Sequence, residues 1–208
     1  MNGVCKICFK DIKDYSLYAL INKNNLLCEE CFSGLKATFH PFSFGSIKGT
    51  AIYDYNEKIK ELIYKYKGCY DYELKDVFLY RYIKYLRIIY RGYILVTVPS
   101  YHVDDERRGF NHVEEIYKPL KLKIMKVIHK NKAYKQSDNN QRDRSNIKNV
   151  LEINKTIELK GKKVLLVDDI LTTGHTLLSC IDLLKELKPK KIEILVIAKT
   201  KRKTKNEY

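Results

Sequence analysis

Val164-Leu165-Leu166-Val167-Asp168-Asp169-Ile170-Leu171-Thr172-Thr173-Gly174-His175-Thr176 is the stretch whose reading decides the fold. Four apolar residues in a row suit a parallel strand covered on both faces. Two adjacent carboxylates stand where such a strand is expected to end, and three threonines and a glycine follow before the amphipathic run from Leu177 to Leu187. This places polar chemistry at the carboxyl edge of a sheet, where open α/β folds bind ligands.

The turn has the makings of a phosphate site. Gly174 opens backbone conformations closed to other residues, so that consecutive amides can point at one anion. Thr172, Thr173 and Thr176 add hydroxyls, His175 stands among them, and the helix beyond offers unpaired N–H groups and the positive end of its dipole. Ionised Asp168 and Asp169 only accept hydrogen bonds, so their partners are hydroxyls or a divalent cation rather than the phosphate. A phosphate, a diol and Mg2+ together describe a phosphorylated sugar. A Walker B strand also ends an apolar run in acids, but it works with a G-x-x-x-x-G-K-[ST] loop, and none of the nine glycines begins one.

Outward from this stretch, strand patterns recur at Tyr93–Val98, Ile124–Ile128, Val150–Ile153 and Ile192–Ala198, with helical patterns about Asn111–Leu120 and Thr176–Leu187. That alternation predicts an α/β fold with a parallel sheet. Upstream, Ile59, Leu62, Ile63 and Tyr66 fall on one helical face, and a second amphipathic segment is expected over about Tyr72–Tyr90. Pro41–Ile52 reads as a hairpin or a linker. Eleven tyrosines lie between Tyr53 and Tyr93 among lysines and arginines. Such a mixture suits either stacking of single-stranded bases or an ordinary packing face with hydroxyls at its rim.

The first forty residues carry different chemistry. Cys5-x-x-Cys8 and Cys28-x-x-Cys31, with nineteen residues between the pairs, have the spacing of a four-thiolate zinc site. A segment of roughly 35 residues has too little core to fold without such a staple. With every position filled by Cys, the zinc is expected to be structural. Cys69 and Cys180 are left over, and Cys180 reads as a small core residue. The organisation expected is a zinc ribbon over 1–40, a linker and helical hood over 41–92, the α/β core over 93–200 and a basic tail over 201–208.

At 208 residues the chain has room for one ordinary domain and a small appendage. No run is long and apolar enough for a signal or a membrane span, so a cytoplasmic location without membrane insertion is expected. The formal charge of +15 favours polyanions, although a lysine-rich solvated surface accounts for it equally well. Five of the seven residues from Lys199 to Lys205 are basic. A polar loop from Val98-Pro99-Ser100 to Arg107-Arg108-Gly109-Phe110-Asn111 would face the Asp168–Thr176 turn across the sheet edge. Arg107 and Arg108 are its candidates for a pyrophosphate, through bidentate guanidinium contacts.

The run Val167–Thr176 resembles the phosphoribosyl-pyrophosphate (PRPP) motif of type I phosphoribosyltransferases. That resemblance implies that the paired acids hold the ribose hydroxyls, that the threonine-glycine turn wraps the 5′-phosphate, and that Mg2+ accompanies the PRPP. The four cysteines, Tyr64-Lys65-Tyr66-Lys67-Gly68, Val98-Pro99, Arg108-Gly109-Phe110-Asn111 and the Asp168–Thr176 turn together resemble the ComF family of competence proteins. His112 stands where that family usually has Gln. The family's mobile-loop residues map loosely onto Gln136–Asn149, where Arg142 and Arg144 compete for one position. The resemblance implies a cytoplasmic factor of natural transformation that handles single-stranded DNA, with a DNA-uptake helicase and recombination mediators as partners. Two alternatives stay open: a pocket that senses PRPP or a nucleotide, and an active transferase of the 5-phosphoribosyl group, for which no segment identifies the acceptor.

Overall fold

A computed structural model describes residues 3–12, 25–100, 102–130 and 151–200. Val150, the loop Gln136–Asn149 with Arg142 and Arg144, and the tail 201–208 lie outside the described residues. The elements, in chain order, are α1 (Glu29–Gly34), β1 (His40–Phe44), β2 (Ile47–Asp54), α2 (Glu57–Lys67), a 3-10 turn (Tyr72–Asp76), α3 (Ile83–Ile89) and β3 (Tyr93–Thr97). They continue with α4 (His102–Arg108), α5 (His112–Tyr117), a 3-10 turn (Lys118–Leu120), β4 (Lys123–Ile124), β5 (Ile128–Lys130), β6 (Leu151–Ile153), β7 (Lys163–Leu171), α6 (His175–Glu186) and β8 (Lys191–Lys199).

The quoted stretch builds the centre of a six-stranded sheet of order β1-β2-β8-β7-β3-β4, in which only β1 runs antiparallel to its neighbour. Val164 to Val167 are all fully buried, and their side chains alternate between two cores. Leu165 and Val167 join the core built with α2, α3 and α5, whereas Val164 and Leu166 join the one built with α6, β5 and β6. Full burial on both faces is why the run is continuously apolar rather than alternating.

Several sequence expectations are corrected. The strand does not end at Asp168: Ile170 and Leu171 continue to pair with Ala198 and Lys199 of β8. On its other side β7 loses its partner earlier, the last bond being Val98 N–H to the Val167 carbonyl at 2.9 Å. The acids therefore lie inside the strand, on a ledge that β3 has left open. Residues 40–54 supply a hairpin rather than a linker, and its second strand adds to the sheet beside β8. Tyr72–Tyr90 is not one helix, because Val77, Phe78 and Leu79 are buried in succession and no single helical stripe buries three neighbours. Ile124–Ile128 is split: Met125 N–H makes the last bond to β3, and β5 then pairs antiparallel with β6.

Among the described residues the ribbon has no core separate from that of the hood. Cys5, Ile12, Leu27 and Leu35 belong to the same apolar cluster as Leu62, Leu74 and Phe78 of the hood. Lys6 bridges Glu73 and Asp76 at 2.7 and 3.0 Å, and the Arg81 guanidinium lies 4.0 Å from the centre of the Phe32 ring. No described helix is long and apolar enough to cross a membrane.

Candidate functional site

A cavity of about 220 Å³ opens at the carboxyl edge of the sheet between β3 and β7. The connection after β3 passes over one face of the sheet and α6 over the other, so this is a topological switch point. The cavity is lined by residues that include Asp168, Asp169, Thr176, Arg108, Lys67 and Lys130.

Strand geometry sends the two acids to opposite faces, and their surroundings differ accordingly. Asp169 points toward the hood, where Lys67 Nζ donates to its Oδ2 at 2.9 Å and His112 Nε2 lies 3.2 Å from the same atom. Its Oδ1 accepts from Ile170 N–H at 2.7 Å. Burial opposes its ionisation, but the His112 hydrogen bond and the Lys67 ammonium prevail and hold the carboxyl below the usual carboxylate range. Asp168 accepts from Asp169 N–H at 2.9 Å. Burial, reinforced by the charge of Asp169, pushes the Asp168 carboxyl well up. On the same side burial pulls the Lys130 ammonium down.

Behind Asp169 lies a chain of polar contacts. Arg108 Nη1 donates to Asp105 Oδ1 at 2.9 Å and lies 3.0 Å from His112 Nδ1, while Nε reaches the Lys67 carbonyl at 3.3 Å. A guanidinium can only donate, so Nδ1 is the acceptor and Nε2–H of His112 faces Asp169. Asp105 also accepts from Ser100 Oγ and from Asn111 Nδ2, and the Asn111 side chain caps α5 by accepting from Glu114 N–H at 2.8 Å. Tyr66 OH donates to the His112 carbonyl at 2.8 Å and fixes α2 against α5.

The structure thus sorts the arginines proposed for pyrophosphate. Arg108 lines the cavity, but its side chain is only 6% exposed and its Nε and Nη1 are already engaged. Arg107 is exposed and is not among the residues lining the cavity. Sequence reasoning missed Lys67, Asp105 and Lys130, and treated His112 only as a substituted position. Lys67 and Asp169 are 102 residues apart. The sequence carried Lys67 only inside the Tyr64–Gly68 segment of the family resemblance, with no role attached to it.

The Thr-Gly turn forms as read. Gly174 has φ +82° and begins α6. A Cβ there would meet the Phe44 ring at 2.5 and 2.8 Å, so both conformation and space demand glycine. Thr172, Thr173 and His175 are exposed, with His175 Nδ1 2.8 Å from Thr173 Oγ1, and only Thr176 of this group reaches the cavity wall. Gly174→Ala is expected to lose about 1–3 kcal/mol in a thermal melt, from the strained φ and the displaced ring. An unshifted melting temperature would show that β1 does not buttress the turn.

In the ribbon the four sulfurs of Cys5, Cys8, Cys28 and Cys31 lie within 4.8 Å of one another. Cys8 and Cys28 are 3.7 Å apart, too far for a disulfide and close to the edge of about 3.8 Å expected of a tetrahedron with 2.3 Å zinc–sulfur bonds. Burial opposes ionisation of Cys5, but N–H groups of Cys8, Cys28 and Ile7 bring its thiol down to about 7. The donor set therefore fits a thiolate-bound metal. Cys180 is buried in the core, as expected, and Cys69 is exposed.

The profile of the family described as "Phosphoribosyl transferase domain" matches residues 106–208. Competence protein ComFC of Streptococcus pneumoniae is 29% identical over 143 residues, 69% of this chain and 64% of its own length. Competence protein F of Haemophilus influenzae is 31% identical over 114 residues, 50% of this chain and 49% of its own. The match therefore spans less than two thirds of either relative. A solved purine phosphoribosyltransferase from Pyrococcus horikoshii is 25% identical and superposes with a TM-score of 0.39, over 60% of this chain and 73% of that one. Superposition at that level is loose, and the fold assignment stands on the sheet order and the family profile. A phosphoribosyltransferase-type α/β sheet, a four-cysteine cluster and these two relatives support the reading of the chain as a ComF-family protein.

Proposed function

We propose that the cavity between β3 and β7 binds PRPP or a related phosphoribosyl nucleotide, and that the protein uses this pocket in handling single-stranded DNA during natural transformation. The observation that carries the reading is the pairing of Asp168 and Asp169, on the open ledge of β7, with a glycine-started helix five residues further on. In this reading the amides of the Thr172–Thr176 turn and the threonine hydroxyls take the 5′-phosphate. The ribose hydroxyls donate to the acids.

Lys67 and His112 keep Asp169 charged and oriented, so it meets the ligand as a fixed acceptor. Arg108 and Asp105 act one step back as positioning residues, by setting the tautomer and ring plane of His112. Mg2+ would be held by Asp168, the acid not already engaged by a cation, and when bound would neutralise pyrophosphate oxygens. The four-cysteine cluster would hold zinc as a structural ion. A reducing, cytoplasmic setting belongs to the same proposal, and so do a DNA-uptake helicase and recombination mediators as partners, in line with the competence proteins it resembles.

Calorimetric titration of PRPP with Mg2+ into the parent protein and into Asp168→Asn tests the pocket. Binding by the parent that falls at least tenfold in the variant is the expected result, whereas no heat with either removes the reading. Pyrophosphate release in the same samples, with and without added nucleobases, separates a sensing pocket from active phosphoribosyl transfer.

A further inference from the structure

The opposite, amino edge of the sheet is built of lysines. Lys163 and Lys191 open β7 and β8 and are register partners, so two ammonium side chains start about 4.8 Å apart on the same face. Lys48 is the second residue of β2 next door, one residue before the Gly49–Ile194 pair. The loops that enter these strands add Lys160, Lys162, Lys188 and Lys190, and the last turn of α6 adds Lys185, all exposed. They are tied together by a bridge between Lys160 and Pro189 and by Lys190 N–H donating to the Lys162 carbonyl at 2.8 Å. Beside them runs a groove of about 420 Å³ whose lining includes Lys48, Lys185, Lys188, Lys190 and Lys191 together with Glu193.

These stretches of chain carry eight lysines and four carboxylates, of Glu158, Asp182, Glu186 and Glu193. Lys185 pairs with Asp182 at 3.9 Å and Lys191 with Glu193 at 2.5 Å. Among the described residues, Lys48, Lys160, Lys162, Lys188 and Lys190 have no ion pair. Like charges side by side on neighbouring strands cost stability. An array of this kind is neutralised by a chain of phosphates, whose binding releases counterions.

We infer that the lysine groove at the amino edge of β2, β7 and β8 is a binding site for the phosphodiester backbone of single-stranded nucleic acid. A concave groove suits a strand better than a flat bilayer. Its wall holds no exposed aromatic anchor of the kind that fixes a protein partner. Lysines bind phosphate as point charges, so recognition is blind to base sequence. The inference gives the single-strand half of the proposed function a location and rests on it for the choice of probe. The pentose-phosphate pocket lies at the other edge of the sheet, so the two ideas fail separately.

The test is anisotropy of a labelled oligothymidine over a salt series, with the full zinc-loaded chain and with Lys48→Gln/Lys162→Gln/Lys188→Gln/Lys190→Gln. These side chains are exposed and repel one another, so the variant is expected to fold and to bind PRPP as the parent does. The expected result is at least tenfold weaker oligothymidine binding at low salt. The log–log salt slope is expected to be shallower by about 0.7 for each lysine that met a phosphate, approaching 3 for all four. Equal affinity and slope in parent and variant would overturn the location and leave the single-strand reading standing, whereas a parent that does not bind at low salt overturns both. Tighter binding of the parent to phosphatidylserine vesicles than to oligothymidine at equal phosphate would overturn the inference in favour of a membrane surface.

Discussion

Asp169→Asn is expected to melt below the parent at neutral pH and Asp168→Asn above it, although the two residues are adjacent and both substitutions weaken PRPP binding. Asp169 accepts charge-assisted bonds from Lys67 and His112, and its carboxyl is held below the ordinary range. The stability it contributes is therefore present above the unfolded-state value of about 3.9 and is lost as pH falls through its lower folded-state value. An asparagine leaves Lys67 and His112 short of their anion, at a cost of about 1.5–3 kcal/mol. The lower half of that range applies because Lys67 is 42% exposed and its side of the pair is screened. For a chain of this length that is a fall of roughly 3–9 °C.

Asp168 behaves in the opposite sense. Burial and the neighbouring charge raise its carboxyl, so the folded state keeps a proton that the unfolded chain gives up. The stability tied to that proton is complete below about pH 4 and declines as pH rises through the raised folded-state value. Asparagine keeps the shape without the charge and abolishes the decline, so the variant gains on the parent with increasing pH. Thermal melts of the three proteins from acid to neutral pH check this, and parallel curves for the two variants would refute the assignment of different surroundings to the two acids.

The larger effect is expected from the cysteines. Structural zinc in small domains is worth about 10–16 kcal/mol of apparent binding energy. Cys28→Ser, or prolonged chelation of the parent, is expected to unfold the ribbon and to take part of the hood with it, since Leu27 and Leu35 pack with Leu62 and Leu74. The measurements are metal content, with one zinc per chain falling to none, and calorimetric melting, with loss of the cooperative transition. An unchanged melt after complete removal of metal would show that the four thiols are not a metal site.

What the sequence made legible is what local pattern encodes. The Val164–Val167 run announces burial on both faces, Gly174 announces a positive φ, and paired Cys-x-x-Cys knuckles announce a tetrahedral cluster; each needs only neighbours in the chain. Pairings between distant segments were not legible. The hairpin at residues 40–54 joins the sheet beside β8 because Ala51 and Tyr53 find register with Val196 and Ala198, and nothing near residue 50 specifies that partner. Lys67 differs from Lys65 only in lying on another face of α2, so its bond to Asp169 emerges once the helix is docked by Tyr66. The same holds for Asp105, which nothing in the sequence sets apart from Asp104 and which in the fold gathers Ser100, Arg108 and Asn111.

The seam between ribbon and hood bears on how this protein can be taken apart. Residue 40 marks a change of chemistry, from thiols to an α/β sheet, and invites a cut for producing either piece alone. Yet the apolar cluster runs through that point without interruption, from Cys5 and Leu35 to Leu62, Leu74 and Phe78. A fragment starting at the hairpin would expose a greasy scar along α2, the helix that ends in Lys67, and the liberated ribbon would expose the matching one. Assays on such halves would report on self-association and on a misplaced Lys67, so the workable unit for expression, mutagenesis and crystallisation is the undivided chain.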